Sequence, residues 1–478
     1  MNLNVQILIP LVLYLCFVFG VAWYAYQKRK QGGFLDEYYV GSRSMGGFVL
    51  AMTTVATYVS ASSFIGGPGA AYKYGLGWVL LAMIQVPAIW LTLGTLGKKF
   101  AIYARQTGSI TINDLLFARY QNKVVVYLAC ISLLLAFFGM MVVQFIGAGR
   151  LLETTLGLPY ELSIGVFALV IGLYTFIGGF RAVVLTDTVQ GLVMMIGTIL
   201  LLGGTVIATG GIENAMTTLH TIDPRLLTPT GVDDKLSATF MLSFWVLVCF
   251  GLIGLPHTAI RAMAYKDSHS LHRGILVGTV VMTILVLGMH LAGVLARAVI
   301  PNLDVPDKVV PTLMMTVLPP FVAGIFLAAP MAAIMSSIDS MLIQSSSTLI
   351  KDLYLSAKPD AIKNEAKIKR YSTGFTLIFT VILAVVAMLN PPDMLIWLNL
   401  LSFGGLEATF LWVLIFGLYY KKANATGAIF SMIAGLFSYV IFAYFKITLF
   451  DLHAVVPALV VGFVAFVVGN QLGKNRTA

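Results

Sequence analysis

Stretches of about twenty residues with almost no charge recur from one end of this chain to the other, and they limit its folding more than any other feature. A helix rising about 1.5 Å per residue needs about 20 apolar residues to cross roughly 30 Å of hydrocarbon. Thirteen segments qualify as candidates, at about 6–26, 47–72, 76–96, 124–149, 161–178, 183–209, 239–260, 274–300, 318–346, 371–390, 395–420, 425–445 and 454–472. Apolar residues make up 59% of the 478 and charged residues only 10%, against about 25% charged in soluble domains. Too little polar surface remains to hydrate a globule of this size. The chain therefore reads as an all-α polytopic membrane protein, a single transmembrane domain over residues 1–478. The longest connections, about 210–236 and 351–370, are too short to fold alone, so no soluble catalytic or signalling domain is expected.

The net charge of +10 would point to nucleic acid in a soluble protein. Here Lys and Arg cluster in the connections, where they set orientation instead. With the N-terminus outside, 23 of the 30 fall on the inner side and 7 on the outer, the asymmetry expected of a bacterial-type inner membrane protein. Thirteen spans, N-terminus out and C-terminus in, is the consistent arrangement. Lys28, Arg29 and Lys30 follow the first apolar run, the reverse of a cleavable leader, so 6–26 reads as a retained span. Cys16, Cys130 and Cys249 lie in apolar runs at unrelated spacings, and the six histidines are scattered. They supply neither a transition-metal pattern nor a nucleophile–base set. No enzyme activity, organic cofactor, nucleic acid or obligate protein partner is expected; the bilayer is.

Helix breakers carry the functional signal. Backbone left unpaired at membrane depth is tolerated only where it is buried in protein or lines a cavity. In the second span, hydroxyl-bearing residues from Thr54 to Ser63 lead into Gly66, Gly67, Pro68 and Gly69. Five spans later Gly251, Gly254 and Pro256 interrupt the seventh span in similar style. Breaks are expected at both runs, although glycine and proline also serve close helix packing. Two breaks five spans apart suggest one five-helix unit used twice, over about 47–209 and 239–420. An odd number of spans makes the second copy inverted, which places substrate and ion near the midplane. The ninth span adds Ser336 and Ser337, adjacent hydroxyls about 100° apart on a helix. Carbonyls freed at a break plus two facing hydroxyls would suit a small monovalent cation; the plainer alternative is back-bonding of each serine to its own helix.

Several runs resemble the sodium:solute symporter family: Gly178-Gly179-Phe180-Arg181 with Thr186-Asp187-Thr188-Val189-Gln190, Ala332 to Ser337, and Ser60 to Gly69. The similarity extends over essentially the whole chain. Ser62 to Gly75, Trp397 to Leu401 and Phe403 to Ala408 are most similar to the pantothenate-carrying members of that family. The resemblance implies a LeuT-type core of spans two to eleven, with 6–26, 425–445 and 454–472 peripheral. It also implies sodium-coupled uptake by alternating access, with Na⁺ as coupling ion and pantothenate as solute. Residue by residue it assigns sodium to the carbonyls of Ala56, Val59 and Ala333 and the hydroxyls of Ser336 and Ser337. Asp187 matches an acidic position associated with sodium passage, or else pairs with Arg181 at the inner boundary. Tyr58 stands where the proline-carrying relatives have an aspartate, one negative charge fewer near the sodium site.

A carboxylate solute with hydroxyls, an amide and geminal methyls needs hydrogen-bond donors and an apolar wall. The candidates are Ser60, Ser62, Ser63, Gln85, Gln144, Phe250, His257 and Asn399. Arg150 reads as snorkelling to the interface, and Glu407, costly at depth, as protonated or paired. The competing readings are a sodium symporter for proline, a sugar or another carboxylate, and, further off, a channel or membrane sensor.

Overall fold

The computed structural model describes residues 5–27, 45–177, 180–360, 364–389 and 391–473. The Gly178-Gly179 pair, the Lys28–Lys30 cluster and Gly41 to Ser44 lie outside the described residues. Helices follow one another in the expected order: α1 (Val5–Gln27), a two-part α2 (Gly47–Tyr58 and Ser62–Tyr74), α3 (Leu76–Thr107), α4 (Lys123–Leu156) and α5 (Tyr160–Ile177). Then come α6 (Phe180–Ala208), a two-part α7 (Ala238–Gly254 and Pro256–Met263), α8 (Ser268–Val299), α9 (Pro320–Leu355) and α10 (Glu365–Met388). The series closes with α11 (Leu395–Tyr419), α12 (Ala425–Tyr444) and α13 (Val455–Leu472). Among the described residues, 10 helices are long and apolar enough to cross a bilayer unaided, and the two bent pairs bring the number to 12. The remaining candidate, α5, has a shorter apolar stretch, Tyr160–Tyr174.

α9 forms the axis of the bundle. Every residue from Phe326 to Thr348 is buried, and the run includes Ser336, Ser337, Asp339, Ser340 and Gln344. A helix enclosed on all sides has no need of an amphipathic stripe, so its hydroxyls are free to meet other helices. α1 packs against α9 and α6, while α12 and α13 pair with each other and with α11. Stacked aromatics, Phe416 on Phe466 with ring centroids 4.5 Å apart, seal that outer group.

Both bent spans kink sharply, by 68° in α2 and 53° in α7. In α7 the break falls where glycine and proline predict it. Leu255 (φ −91°, ψ 109°) is extended between Gly254 and Pro256, and Pro256, lacking an N–H, opens the second piece. In α2 the expected position is wrong. The chain leaves the helix at Val59 (φ −71°, ψ 123°) and Ser60, while Gly66, Gly67, Pro68 and Gly69 are all helical. Extended backbone with negative φ needs no glycine, so composition gave no warning. The glycines serve close packing instead. A side chain on Gly66 would strike Leu395 and Ile396 of α11, one on Gly67 the imidazole of His290, and one on Gly69 the backbone of Pro306.

α8 shows the same device from the other side, since a Cβ on Gly293 would collide with the backbone of Pro68. Gly293→Ala is expected to destabilise the fold by about 1–3 kcal/mol, the range for overpacking. Gly94→Ala faces open space and is expected to be neutral or slightly stabilising. Thermal unfolding of the detergent-purified variants separates the two; equal unfolding temperatures would refute the packing argument.

Candidate functional site

The break in α2 exposes donors and acceptors, and each set finds partners. On the side of the second piece, Gln144 of α4 accepts from the Ala61 N–H at 2.8 Å, and the Ser60 hydroxyl accepts from the Ser62 N–H at 3.3 Å. On the side of the first piece, α9 supplies hydroxyls. Ser336 Oγ donates to the Ala56 carbonyl at 2.7 Å and Ser337 Oγ to the Val59 carbonyl at 3.1 Å, with Thr57 O at 3.3 Å. The Ala333 carbonyl lies 3.2 Å from Ser336 Oγ. The oxygens of Ala56, Val59, Ala333, Ser336 and Ser337 thus gather at one buried junction of α2 and α9. All five are neutral, hard oxygens. That donor set suits a monovalent cation rather than a transition metal.

One helical turn further along α9 the surroundings become charged. Asp187 of α6 is fully buried and accepts from Thr53 Oγ1 at 2.7 Å, with Thr57 Oγ1 at 3.5 Å. Its ion pair is with Arg261 of α7, at 3.3 Å. Arg261 also donates to Ser340 Oγ at 2.7 Å and to the His257 carbonyl at 2.7 Å. The network ties α2, α6, α7 and α9 together directly beside the oxygen junction. Asp187 is therefore a core residue paired with Arg261, and not an acid at the aqueous boundary. Sequence reasoning missed Arg261, Thr53 and Thr57. A signal existed for Arg261: an arginine just past the Pro256 break must be paired if it is buried.

Beside the break lies a small polar cavity of about 20 Å³, lined by Tyr58, Ser62, Ser63, Gln85, His290 and Asn399, with Trp78, Phe244 and Phe403 as its apolar wall. Its groups are bonded to one another. Tyr58 donates to Gln85 Oε1 at 2.9 Å, Asn399 Nδ2 to Ser62 Oγ at 3.1 Å, and Ser60 and Ser62 share a bond of 2.8 Å. Gln85 reaches it because Pro87, which has no N–H, tightens α3 into a turn at residues 84–87. His290 lines it through the space that Gly67 leaves.

Other candidates are placed elsewhere. Phe250 points outward, 48% exposed, because the π turn that ends at it shifts the helix face. His257 packs edge-on to Phe137, at 5.5 Å, behind Phe403. Gln144 is occupied with backbone. Arg150 does not snorkel; it is buried against Asp307 and the carbonyls of Pro392 and Asp393. Asp307 also accepts from the Leu395 N–H at 2.8 Å, so this contact pins the first turn of α11. Burial pushes the Asp307 carboxyl up to about 6, against the opposing pull of Arg150 and the Leu395 N–H.

A second cavity, of about 620 Å³, is lined by Lys73, Arg297, Asp304 and Trp397 among others. Trp78 from the polar cavity and Trp397 from this one meet edge to face, 5.6 Å between centroids. A lining residue of each cavity thus touches one of the other.

Breaking the Asp187–Arg261 pair from one side leaves a buried charge alone. Asp187→Asn and Arg261→Gln are each expected to cost about 3–5 kcal/mol of stability, and the double variant less than the sum. Unfolding of the purified variants reads this, and strict additivity would contradict the pairing.

The sodium:solute symporter family matches residues 38–435. Relatives named sodium/pantothenate symporter are 64% identical over 474 residues in Haemophilus influenzae (99% of this chain, 98% of the relative) and 61% identical over 473 residues in Escherichia coli (99% and 98%). A sodium/proline symporter of Staphylococcus aureus is 28% identical over 508 residues (100% and 94%). Among solved structures, a Na⁺-coupled sialic acid symporter superposes with a TM-score of 0.83 at 19% identity (99% of each chain). A nucleobase-cation-symport transporter superposes with a TM-score of 0.60 at 13% identity (92% and 96%). The fold is thus the LeuT-type transporter fold, and the chain belongs to the sodium:solute symporter family.

Proposed function

We propose, taking membership of that family as the premise, that this protein carries pantothenate into the cell together with Na⁺ by alternating access. The sodium half rests on one observation, the convergence of five neutral oxygens at the α2 break. The solute half rests on relatives of 61% and 64% identity that share nearly the full length and bear that substrate in their names. The cell compartment that fits is the cytoplasmic membrane of a bacterium, with the N-terminus outside. The working division is two inverted five-helix halves, α2–α6 and α7–α11, with α1, α12 and α13 outside them.

Sodium enters as cargo. The hydroxyls of Ser336 and Ser337, which now donate to α2 carbonyls, turn their lone pairs toward it, and the carbonyls of Ala56, Val59 and Ala333 complete the cage. The ion then bridges α2 to α9. Inward opening parts those helices and strips the ion of its ligands, and Asp187, one turn away with Oδ1 free of hydrogen bonds, offers the next attractive position along the exit. Pantothenate is read by Ser62, Ser63, Gln85 and Asn399, with Trp78, Phe244 and Phe403 against its methyl groups. The cavity of about 20 Å³ is far below the several hundred that enclose such a molecule. Binding therefore requires the Trp78–Trp397 contact to open and the wall to retract.

A tenfold sodium gradient provides about 1.4 kcal/mol per ion. One Na⁺ with one monoanion moves no net charge, so the membrane potential, worth about 2.3 kcal/mol per charge per 100 mV, contributes only if a second ion travels.

Labelled pantothenate uptake into vesicles is expected to collapse when choline replaces sodium. Proline and sugars should not compete; if proline competes as well as pantothenate does, the solute assignment is wrong. Ser336→Ala and Ser337→Ala are expected to raise the sodium concentration for half-maximal uptake about tenfold or more, one lost ligand at roughly 1–2 kcal/mol, with solute preference unchanged. An unaltered sodium activation curve in both would remove the junction as the ion site.

A further inference from the structure

Asn399, Phe403 and Glu407 recur every four residues along α11 and share a face. The first two line the polar cavity, and Glu407 lies about 6 Å further along the axis. It is completely buried. Its carboxyl group rests against Gly251, in the 3₁₀ turn that leads into the α7 break, and any side chain at residue 251 would occupy the same space. Among the described residues, neither carboxyl oxygen has a hydrogen-bond partner.

The titratable groups facing it are Tyr58 from α2 and Tyr439 from α12; Cys249 of α7 neighbours Tyr58, and His257 of α7 lies against Phe403, one turn before Glu407 on α11. α4 brings no titratable residue between Ser132 and Val143, and α13 has none. Among the described residues no Lys or Arg forms an ion pair with it. A bare carboxylate with neither cation nor hydrogen bond is strongly disfavoured at such a place. It would also repel an anionic solute in the adjoining cavity through a medium of low effective dielectric.

We propose that Glu407 is a proton-binding site of the transport cycle. It is the neutral acid while enclosed against Gly251, and it passes its proton to entering water when α7 and α11 separate. Enclosure of the neutral acid stands on the geometry alone; the release step rests on the alternating-access reading above. The cycle then re-forms the closed state only after Glu407 is reprotonated, so alkaline conditions slow turnover.

Two measurements test this. Infrared spectra of the purified protein at about pH 7, free of sodium and pantothenate, are compared with those of Glu407→Gln. The expected difference is the carbonyl stretch of a protonated carboxylic acid, present in the wild type and missing in the variant; loss of carboxylate bands alone overturns the proposal. Should the glutamine variant fail to fold, Glu407→Asp keeps the acid and must shift that band, and an unshifted band overturns it equally. In vesicles, wild-type uptake is expected to fall about threefold or more between about pH 6 and about pH 9, while Glu407→Gln stays within about twofold. Parallel profiles overturn the release step. Absence of pantothenate uptake in the wild type would instead refute the solute assignment and leave the infrared result untouched.

Discussion

Hydrogen-bonding groups of the backbone must be partnered at membrane depth, and that requirement governs this molecule. α2 leaves its helix at Val59 and Ser60, which frees carbonyls on one side and N–H groups on the other. At membrane depth such groups must be partnered within the protein or line a cavity. Gln144 and Ser60 take the donors, and Ser336 and Ser337 take the acceptors. The burial of α9 on every side follows, because its hydroxyls can serve α2 only from the centre of the bundle. So does the position of the polar cavity, which opens on the residues just past the break.

The acceptors are where protein bonding and ion binding compete. A serine hydroxyl can close the break by donating its proton, or support a cation with its lone pair. The two arrangements use the same atoms and differ only in a rotation about one bond. The Asp187–Arg261 pair lies one turn along α9 and shares Thr53 and Thr57 with the same half-helix of α2. Movement of that half-helix therefore reaches the charged network as well as the oxygen junction.

Much of this was legible in the sequence, for physical reasons that can be named. Spans are legible because lipid enforces apolar runs of fixed length, and α1 to α13 lie close to the expected segments. The break in α7 was legible because Pro256 removes a donor. The break in α2 lies away from the expected run because an extended Val59 leaves no compositional mark, while Gly66 to Gly69 leave a loud one for a different purpose, room for His290, Leu395 and Pro306. Phe250 was misjudged because one π turn rotates a helix face, and periodicity alone cannot see it. Arg150 looked interfacial because its partner, Asp307, lies 157 positions away. Long-range pairs of that kind belong to the packing of helices and not to any window of residues.

The contact between the two indoles, one lining the small cavity and one the large, has a pharmacological corollary. Trp78 comes from α3 and Trp397 from α11, so the contact is hinged on two helices with no covalent tie between them. A flat aromatic molecule wedged between those rings would need no likeness to the cargo to stop the carrier. It would act from the side on which the larger chamber opens, and a narrower residue on either helix would blunt it.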